Sequence, residues 1–240
     1  MIYRIFLFST AFLLLGCEGS GRFALHSSLL GSFAEAAATS SERSGHYAIT
    51  IKVHSTGIYN LIRGKRIEIY RSRGTVRYGK YYSQHFAIEK WANGRHTLAE
   101  YVPNYRTKKI VRRFRQWEKN KLTQDVRDRM PYFGHDDFLT VLHNAVYKQP
   151  KTSGRRTTVI VAGADNSRGR VPVYVSQDNT RLKRWGGVAG GTLIQMGITK
   201  GIFDGGKGSL TVLLDPKNAP KRIIIKKVKI VGTVTGNPIK

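Results

Sequence analysis

Large apolar residues alternate with smaller or polar ones along most of this chain, starting at residue 46. The first alternating run covers residues 47–53, where every second side chain is large and apolar. A period of two is typical of strands that bury one face. Similar runs recur, and turn signals separate them, such as Asn93-Gly94, which favours a tight hairpin. The pattern predicts an antiparallel sheet that curves strongly or nearly closes into a β-barrel.

One segment has a helical period instead. Between residues 135 and 147 a single stripe collects the larger apolar side chains, while Asp136 and Asp137 lie at the amino-terminal end, where the helix dipole favours negative charge. The stripe consists of Phe138, Leu139, Leu142, Ala145 and Val146. We therefore expect an all-β protein with one helix at about 135–147, which packs against the concave side of the sheet or plugs the barrel mouth.

The amino terminus has the pattern of an export signal. Arg4 precedes an apolar run from 5 to 15, which is shorter than the roughly 20 residues of a membrane-spanning helix. The run ends in Leu14-Leu15-Gly16-Cys17, which resembles the lipobox of bacterial lipoproteins. The resemblance implies a signal peptide at 1–16 and an acylated Cys17. An ordinary signal peptide, with Cys17 near the cleavage site by coincidence, is the alternative.

The residue after this cysteine bears on localisation. Lipoproteins kept in the inner membrane usually have Asp there, whereas this chain has Glu18. By resemblance to that sorting rule, we expect a lipid-anchored protein of the cell envelope, in the outer membrane and facing the periplasm rather than in the inner membrane.

Residues 17–45 predict an acylated Cys17 followed by a flexible tether, because they are rich in Ser, Gly and Ala and carry few charges. A short amphipathic helix is the alternative for this stretch, built on Phe23, Leu25, Leu29, Leu30 and Phe33. The folded body would then be a single β-rich envelope domain at 46–240.

The order of these segments resembles a domain-of-unknown-function family of exported Gram-negative proteins, catalogued under the number three-one-zero-eight. The similarity lies in residues 47–50, 73–78, 100–105, 137–146 and 172–178. The resemblance implies a curved antiparallel sheet, nearly closed into a barrel, with a helix alongside. It implies no catalytic residues.

The charge of the chain indicates which classes of partner it could bind. The formal net charge is +26, and basic residues concentrate between 106 and 121. Guanidinium groups match phosphates and carboxylates, so this stretch suits a polyanion. The predicted polyanion-binding residues are Arg106, Lys108, Lys109, Arg112, Arg113 and Arg115. A charge-protected edge strand is the alternative. Nucleic acid is disfavoured because an exported lipoprotein rarely meets it, so we expect anionic lipid, lipopolysaccharide or an acidic glycan.

The sequence contains no motif that is typical of catalysis or of metal binding. With one cysteine, thiolate metal sites and disulfides are excluded. Asp136 and His143 share a helical face, but two ligands do not fix an ion, and no hydrolase elbow occurs. We expect no cofactor, no metal and no catalysis, and a lipoprotein that binds or organises an anionic envelope component. The alternatives are a half-barrel carrier of a hydrophobic ligand, such as lipid or lipoprotein acyl chains, and an envelope hydrolase.

Overall fold

The structure is a computed structural model, and it describes residues 18–29, 31–57, 60, 64–147, 154–164, 168–198, 208–228 and 232–239. The predicted signal peptide at 1–16 and the predicted acylation site Cys17 lie outside these residues.

Strands dominate the described chain. They are β1 (Glu18–Ser27), β2 (Gly31–Arg43), β3 (His46–Ser55), β4 (Arg66–Arg77), β5 (Lys80–Ala92), β6 (Arg95–Asn104), β7 (Lys109–Glu118), β8 (Lys121–Arg129), β9 (Asp136–Asp137), β10 (Arg155–Ala162), β11 (Arg170–Ser176), β12 (Thr192–Ile198), β13 (Gly208–Leu214), β14 (Pro220–Val228) and β15 (Gly232–Pro238). The helices whose residues are described throughout are α1 (Phe138–Tyr147) and the short α2 (Asn179–Arg184).

All fifteen strands form one sheet, in the order β8-β7-β6-β5-β4-β3-β2-β1-β15-β14-β13-β12-β11-β10-β9. Neighbouring strands are antiparallel except β9 and β10, which are parallel. The sheet curves without closing, and the amide of Ser83 in β5 donates to the carbonyl oxygen of His135 just before β9, at 3.2 Å. The predicted class, an all-β curved antiparallel sheet with a helix near 135–147, is confirmed.

Helix α1 fills the interior of the curved sheet. It contacts β4 and β5 on one side and β10, β11 and β12 on the other. Its buried residues lie all around the helix and not on one stripe only, because Thr140, His143 and Asn144 are buried together with Phe138 and Leu142. The helix therefore belongs to the main core, which also contains Phe23, Phe33, Tyr70 and Phe86.

The predicted tether is wrong, and so is the amphipathic helix offered as its alternative. Residues 18–27 and 31–43 form β1 and β2, which pair with each other along the whole of β1. Phe23, Leu25 and Phe33 are at most 2% exposed and join the core. The Ser, Gly and Ala residues that suggested flexibility are strand residues between these anchors, because packing on a half-buried sheet overrides a weak strand propensity. The domain therefore extends back to Glu18, not to residue 46.

Within the described ranges, neither helix has the length and apolar character needed to cross a lipid bilayer.

Candidate functional site

The interior of the sheet contains a polar network around Asp137. The hydroxyl of Ser72 in β4 donates to Oδ2 of Asp137 at 2.5 Å and shares a 3.0 Å hydrogen bond with the hydroxyl of Tyr47. The other carboxylate oxygen of Asp137 accepts from the amides of Leu139 and Thr140. Asp137 therefore caps α1, as predicted from the sequence. Burial raises the pKa of this carboxyl above its ordinary value.

A stack of aromatic rings lies beside this network. The ring of Tyr81 stacks on Tyr47 with centroids 4.3 Å apart, and on His143 with centroids 3.4 Å apart. Burial lowers the pKa of His143 to about 3, so the imidazole is neutral at physiological pH. Asn144 adds two bonds to the backbone of Tyr81, which fasten α1 to β5.

Ser, His and Asp side chains thus meet in one region, as they do in hydrolases. Here, however, Ser72, Asp137 and His143 are 2%, 0% and 2% exposed, so a substrate in solvent does not reach them. The contacts of Asp137 cap a helix and hold a strand. This geometry supports a structural role and gives the hydrolase alternative no support.

Asp136, which the sequence analysis considered with His143 as a metal ligand and set aside, has a structural contact as well. Its Oδ1 accepts from the side-chain amide of Asn144 at 2.5 Å. In the part of the chain that the structure describes, no group of three or more His, Cys, Asp or Glu side chains is arranged to hold a metal ion.

Four of the six predicted polyanion-binding residues lie within β7, and the three arginines among them are each paired with a carboxylate of a neighbouring strand. Arg112 and Arg113 make two-pronged contacts with Asp128 and Asp125 of β8. Arg115 donates to Glu100 of β6 at 2.7 Å. Because each guanidinium already has an anion beside it, these three residues offer less attraction to an added polyanion than the sequence suggests.

One of the paired arginines, Arg113, borders a shallow groove of about 790 Å³ together with Asp125 and Glu100. Its charged lining is mixed, because Arg113 and Arg127 face Glu100 and Asp125. The remaining lining residues are His85, Val102, Asn104 and Val111. A groove with balanced charges does not select an anion.

The other three predicted residues lie at a different place, the ends of the strands. Residues 105–108 form the turn between β6 and β7. Arg106 and Lys108 are exposed in this turn, and Lys109 is exposed at the first position of β7. Among the described residues, none of these three forms an ion pair with a carboxylate.

Antiparallel pairing brings two further hairpins to the same side. The β2–β3 turn follows Arg43, and the β4–β5 turn lies between Arg77 and Lys80. We call this set of strand ends the basic rim and define it by its cations, which are Arg43, Arg77, Lys80, Arg106, Lys108 and Lys109. The sequence analysis missed Arg43, Arg77 and Lys80, because only the strand register brings these hairpin residues to one rim.

Aromatic side chains hold part of the basic rim in place. Arg77 and Lys80 lie over the ring of Tyr82, at 5.9 Å and 4.9 Å from its centroid, and Lys108 lies 5.4 Å from the centroid of Phe133. Tyr105 connects these rings, with centroids 6.3 Å from Tyr82 and 5.6 Å from Phe133. The charged ends are therefore oriented by rings and not neutralised by carboxylates.

Tyr105 itself is fixed from below. Its hydroxyl donates to the carbonyl oxygen of Ser83 at 2.6 Å. Burial, together with the nearby Asp136 and Asp137, raises the pKa of Tyr105, so the hydroxyl stays protonated and keeps this bond. The rim is thus a built surface rather than a set of loose turns.

A second aromatic–cation arrangement lies around α2. Arg181 lies 5.3 Å from the ring centroid of Tyr174, and Lys226 lies 4.1 Å from that of Trp185. Arg181 also approaches Asp178 at 3.6 Å, so part of its charge is balanced locally.

Comparison with known proteins shows the fold alone. No protein-family model matches this chain, and no curated protein matches its sequence. Among solved structures, it is similar to a beta-barrel-like protein of Domain of Unknown Function DUF1849 from Brucella abortus. The TM-score is 0.51 at 10% sequence identity, over 93% of this chain and 96% of the other. The family number expected from the sequence, the lipoprotein signal and the outer-membrane location stay predictions.

Proposed function

We propose that this protein is a lipid-anchored envelope protein that binds or organises an anionic envelope component through its basic rim, without catalysis. The observation that carries the proposal is a contrast between two groups of basic residues. The arginines of β7 have carboxylate partners, whereas the rim cations Arg77, Lys80 and Lys108 are held on aromatic rings.

Aromatic support favours anion binding for a physical reason. A ring orients a cation without cancelling its charge, so less side-chain freedom is lost when a phosphate or carboxylate arrives. An exposed cation that is paired with a carboxylate must first break that ion pair before it can bind an added anion, which weakens the binding. The net charge of +26 adds a long-range attraction to polyanions.

The carrier alternative has less support. A carrier needs space inside the curved sheet, and α1 occupies that space together with the core residues around it.

The test compares two variants that remove the same number of charges. One is Arg77→Gln with Lys80→Gln and Lys108→Gln. The other, the matched control, is Arg112→Gln with Arg113→Gln and Arg115→Gln. The processed chain, purified from membranes in a neutral detergent, is titrated with inorganic polyphosphate, which presents the phosphate shared by lipopolysaccharide and phospholipids, and separately with polygalacturonate as an acidic glycan.

We expect the rim variant to lose affinity for polyphosphate on the order of 100-fold, taking about 1 kcal/mol for each lost contact. The β7 variant should change affinity only a few-fold. Equal losses in both variants would mean that net charge alone attracts the probe, and no binding by the parent chain to either probe would overturn the proposed function.

A further inference from the structure

The segment predicted to be a flexible tether consists of strands, and this changes how close a lipid anchor on Cys17 would be to the folded sheet. β1 begins at Glu18, directly after Cys17 in the sequence. Consecutive Cα atoms are about 3.8 Å apart, so no flexible spacer separates an acyl group on Cys17 from the folded sheet.

β1 is held firmly along its length. It pairs with β2 from Glu18 to Ser27 and with β15 from Phe23 to Ser27. Phe23 and Leu25 are in the core, and Arg22 forms an ion pair with Glu35 at 3.1 Å. Peeling β1 off the sheet to create a spacer would break these contacts, so its first residue stays near its partners.

The first residue of β1 lies on the basic rim. Glu18 is opposite Ser41 in β2, two residues before the end of that strand at Arg43. Arg43 pairs with His46 across the β2–β3 turn. The β4–β5 and β6–β7 turns lie on the same side, because every neighbouring pair from β1 to β7 is antiparallel.

We infer that the basic rim docks on the anionic phospholipid headgroups of the same leaflet that holds the anchor on Cys17. This inference rests on the proposed function, since it needs both the acylated cysteine and the cationic rim. It adds the partner and the orientation: the strands point away from the membrane, and the β1–β2 turn at 28–29 is the distal end.

Charge and exposure agree with this orientation. Five of the six rim cations are exposed and the sixth, Lys80, is half-buried; Tyr78, in the β4–β5 turn, is fully exposed between Arg77 and Lys80. Tyrosine is a residue that favours the boundary between water and lipid. A lipid anchor and a basic patch are also complementary, because a single acyl chain binds membranes only marginally and a nearby basic patch stabilises the attachment.

The orientation is tested with fluorophores at the two ends. Thr107→Cys places a label in the β6–β7 turn of the rim, and Leu29→Cys places one in the β1–β2 turn, where Leu29 is 68% exposed. The ten residues of β1 separate the two levels by about 30 Å. Cys17 is blocked by its acyl group, so each variant takes one label.

Each labelled chain is reconstituted into vesicles of equal parts phosphatidylglycerol and phosphatidylcholine that carry a nitroxide lipid as quencher. We expect strong quenching of the label at 107 and little at 29, and a smaller difference in vesicles of phosphatidylcholine alone. Equal quenching at both positions, or stronger quenching at 29, would overturn the orientation.

The mass of the purified chain separates the two ways of failing. A chain without acyl chains on Cys17 contradicts the anchored function itself and the docking with it. An acylated chain that binds polyphosphate through the rim, but whose label at 107 is not quenched, keeps the proposed function and contradicts only the docking.

Discussion

Two aromatic clusters lie on opposite faces of β5. The interior cluster surrounds ionisable groups that are buried, whereas the rim cluster supports cations at the surface. In the interior, Tyr81 stacks between Tyr47 and His143, next to the buried Asp137. On the rim, the neighbouring residue Tyr82 lies under two cations. Successive residues of a strand point to opposite faces. Tyr81 therefore belongs to the interior cluster, and the next residue, Tyr82, belongs to the rim cluster.

The difference between the clusters is access to water. Inside, rings and hydrogen bonds surround two ionisable groups. Burial raises the pKa of Asp137 and lowers that of His143, and both shifts favour the uncharged form of the side chain. On the rim, the rings leave the cations hydrated and charged. The interior therefore supplies stability, and the rim is the surface that we propose for a partner.

The largest expected effect comes from opening a cavity in the interior. Leu142 in α1 is 0% exposed, whereas Leu122 in β8 is 47% exposed. We expect Leu142→Ala to lower the free energy of unfolding by about 2–5 kcal/mol, and Leu122→Ala by less than about 1 kcal/mol. Urea unfolding measures both.

Neither leucine substitution should alter polyphosphate affinity while the chain is folded. A Leu142→Ala variant that is as stable as the parent would contradict the packed interior. A variant that remains folded but no longer binds polyphosphate would show that the interior contributes to binding.

A second effect, which is small near neutral pH and grows as the pH falls, is expected from the interior histidine. Its pKa of about 3 in the folded protein is below the ordinary value of about 6.5. The stability that goes with neutral His143 is therefore fully present above about pH 6.5 and is lost as the pH falls toward 3, at about 1.4 kcal/mol per pH unit. Asp137 opposes this, because a raised pKa makes protonation favour the folded state.

His143→Phe keeps a ring on Tyr81 and removes the titrating group. We expect its free energy of unfolding to fall less steeply than that of the parent between about pH 6.5 and 3, as measured by urea unfolding at a series of pH values. Identical slopes would show that His143 does not set the acid sensitivity.

The smallest effect is expected from removing a ring on the rim. Tyr82→Leu takes away the support of Arg77 and Lys80 but keeps both charges. A cation–π contact at an exposed site is worth about 0.5–1 kcal/mol, so polyphosphate affinity should fall about two- to five-fold. Calorimetric titration measures it.

Tyr78→Leu is the matched control, because Tyr78 is in the same turn and fully exposed. It should leave affinity for the soluble probe unchanged. If Tyr78→Leu weakens binding as much as Tyr82→Leu, ring support under the cations is not the cause.

The fold was largely predictable because its strongest signals are local. The period of two marks strands wherever one face is buried, and Asp137 at the start of an apolar helical stripe indicates the start of α1. The strands β1 and β2 could not be recognised in this way, since Gly, Ser and Ala carry little strand propensity. They fold as strands because Phe23, Leu25 and Phe33 pack into a core formed by distant segments.

The candidate site was predictable only in part, because it depends on which strands are neighbours. The run of basic residues from 106 to 115 divides into paired arginines on β7 and an exposed part, which lies in the turn and at the first position of β7. Nothing local in the sequence shows that Asp125 and Asp128 neutralise Arg113 and Arg112, or that Arg77 and Lys80 join Lys108 on one rim. Strand register decides both.

The most direct test of the central claim is the polyphosphate affinity of the two triple variants across a salt series. If the rim makes the contacts, the parent and the β7 variant lose affinity with salt along parallel lines, while the rim variant starts lower and has a flatter salt dependence, because it displaces fewer counterions. If all three lines have the same slope and the two variants coincide, the rim has no special role.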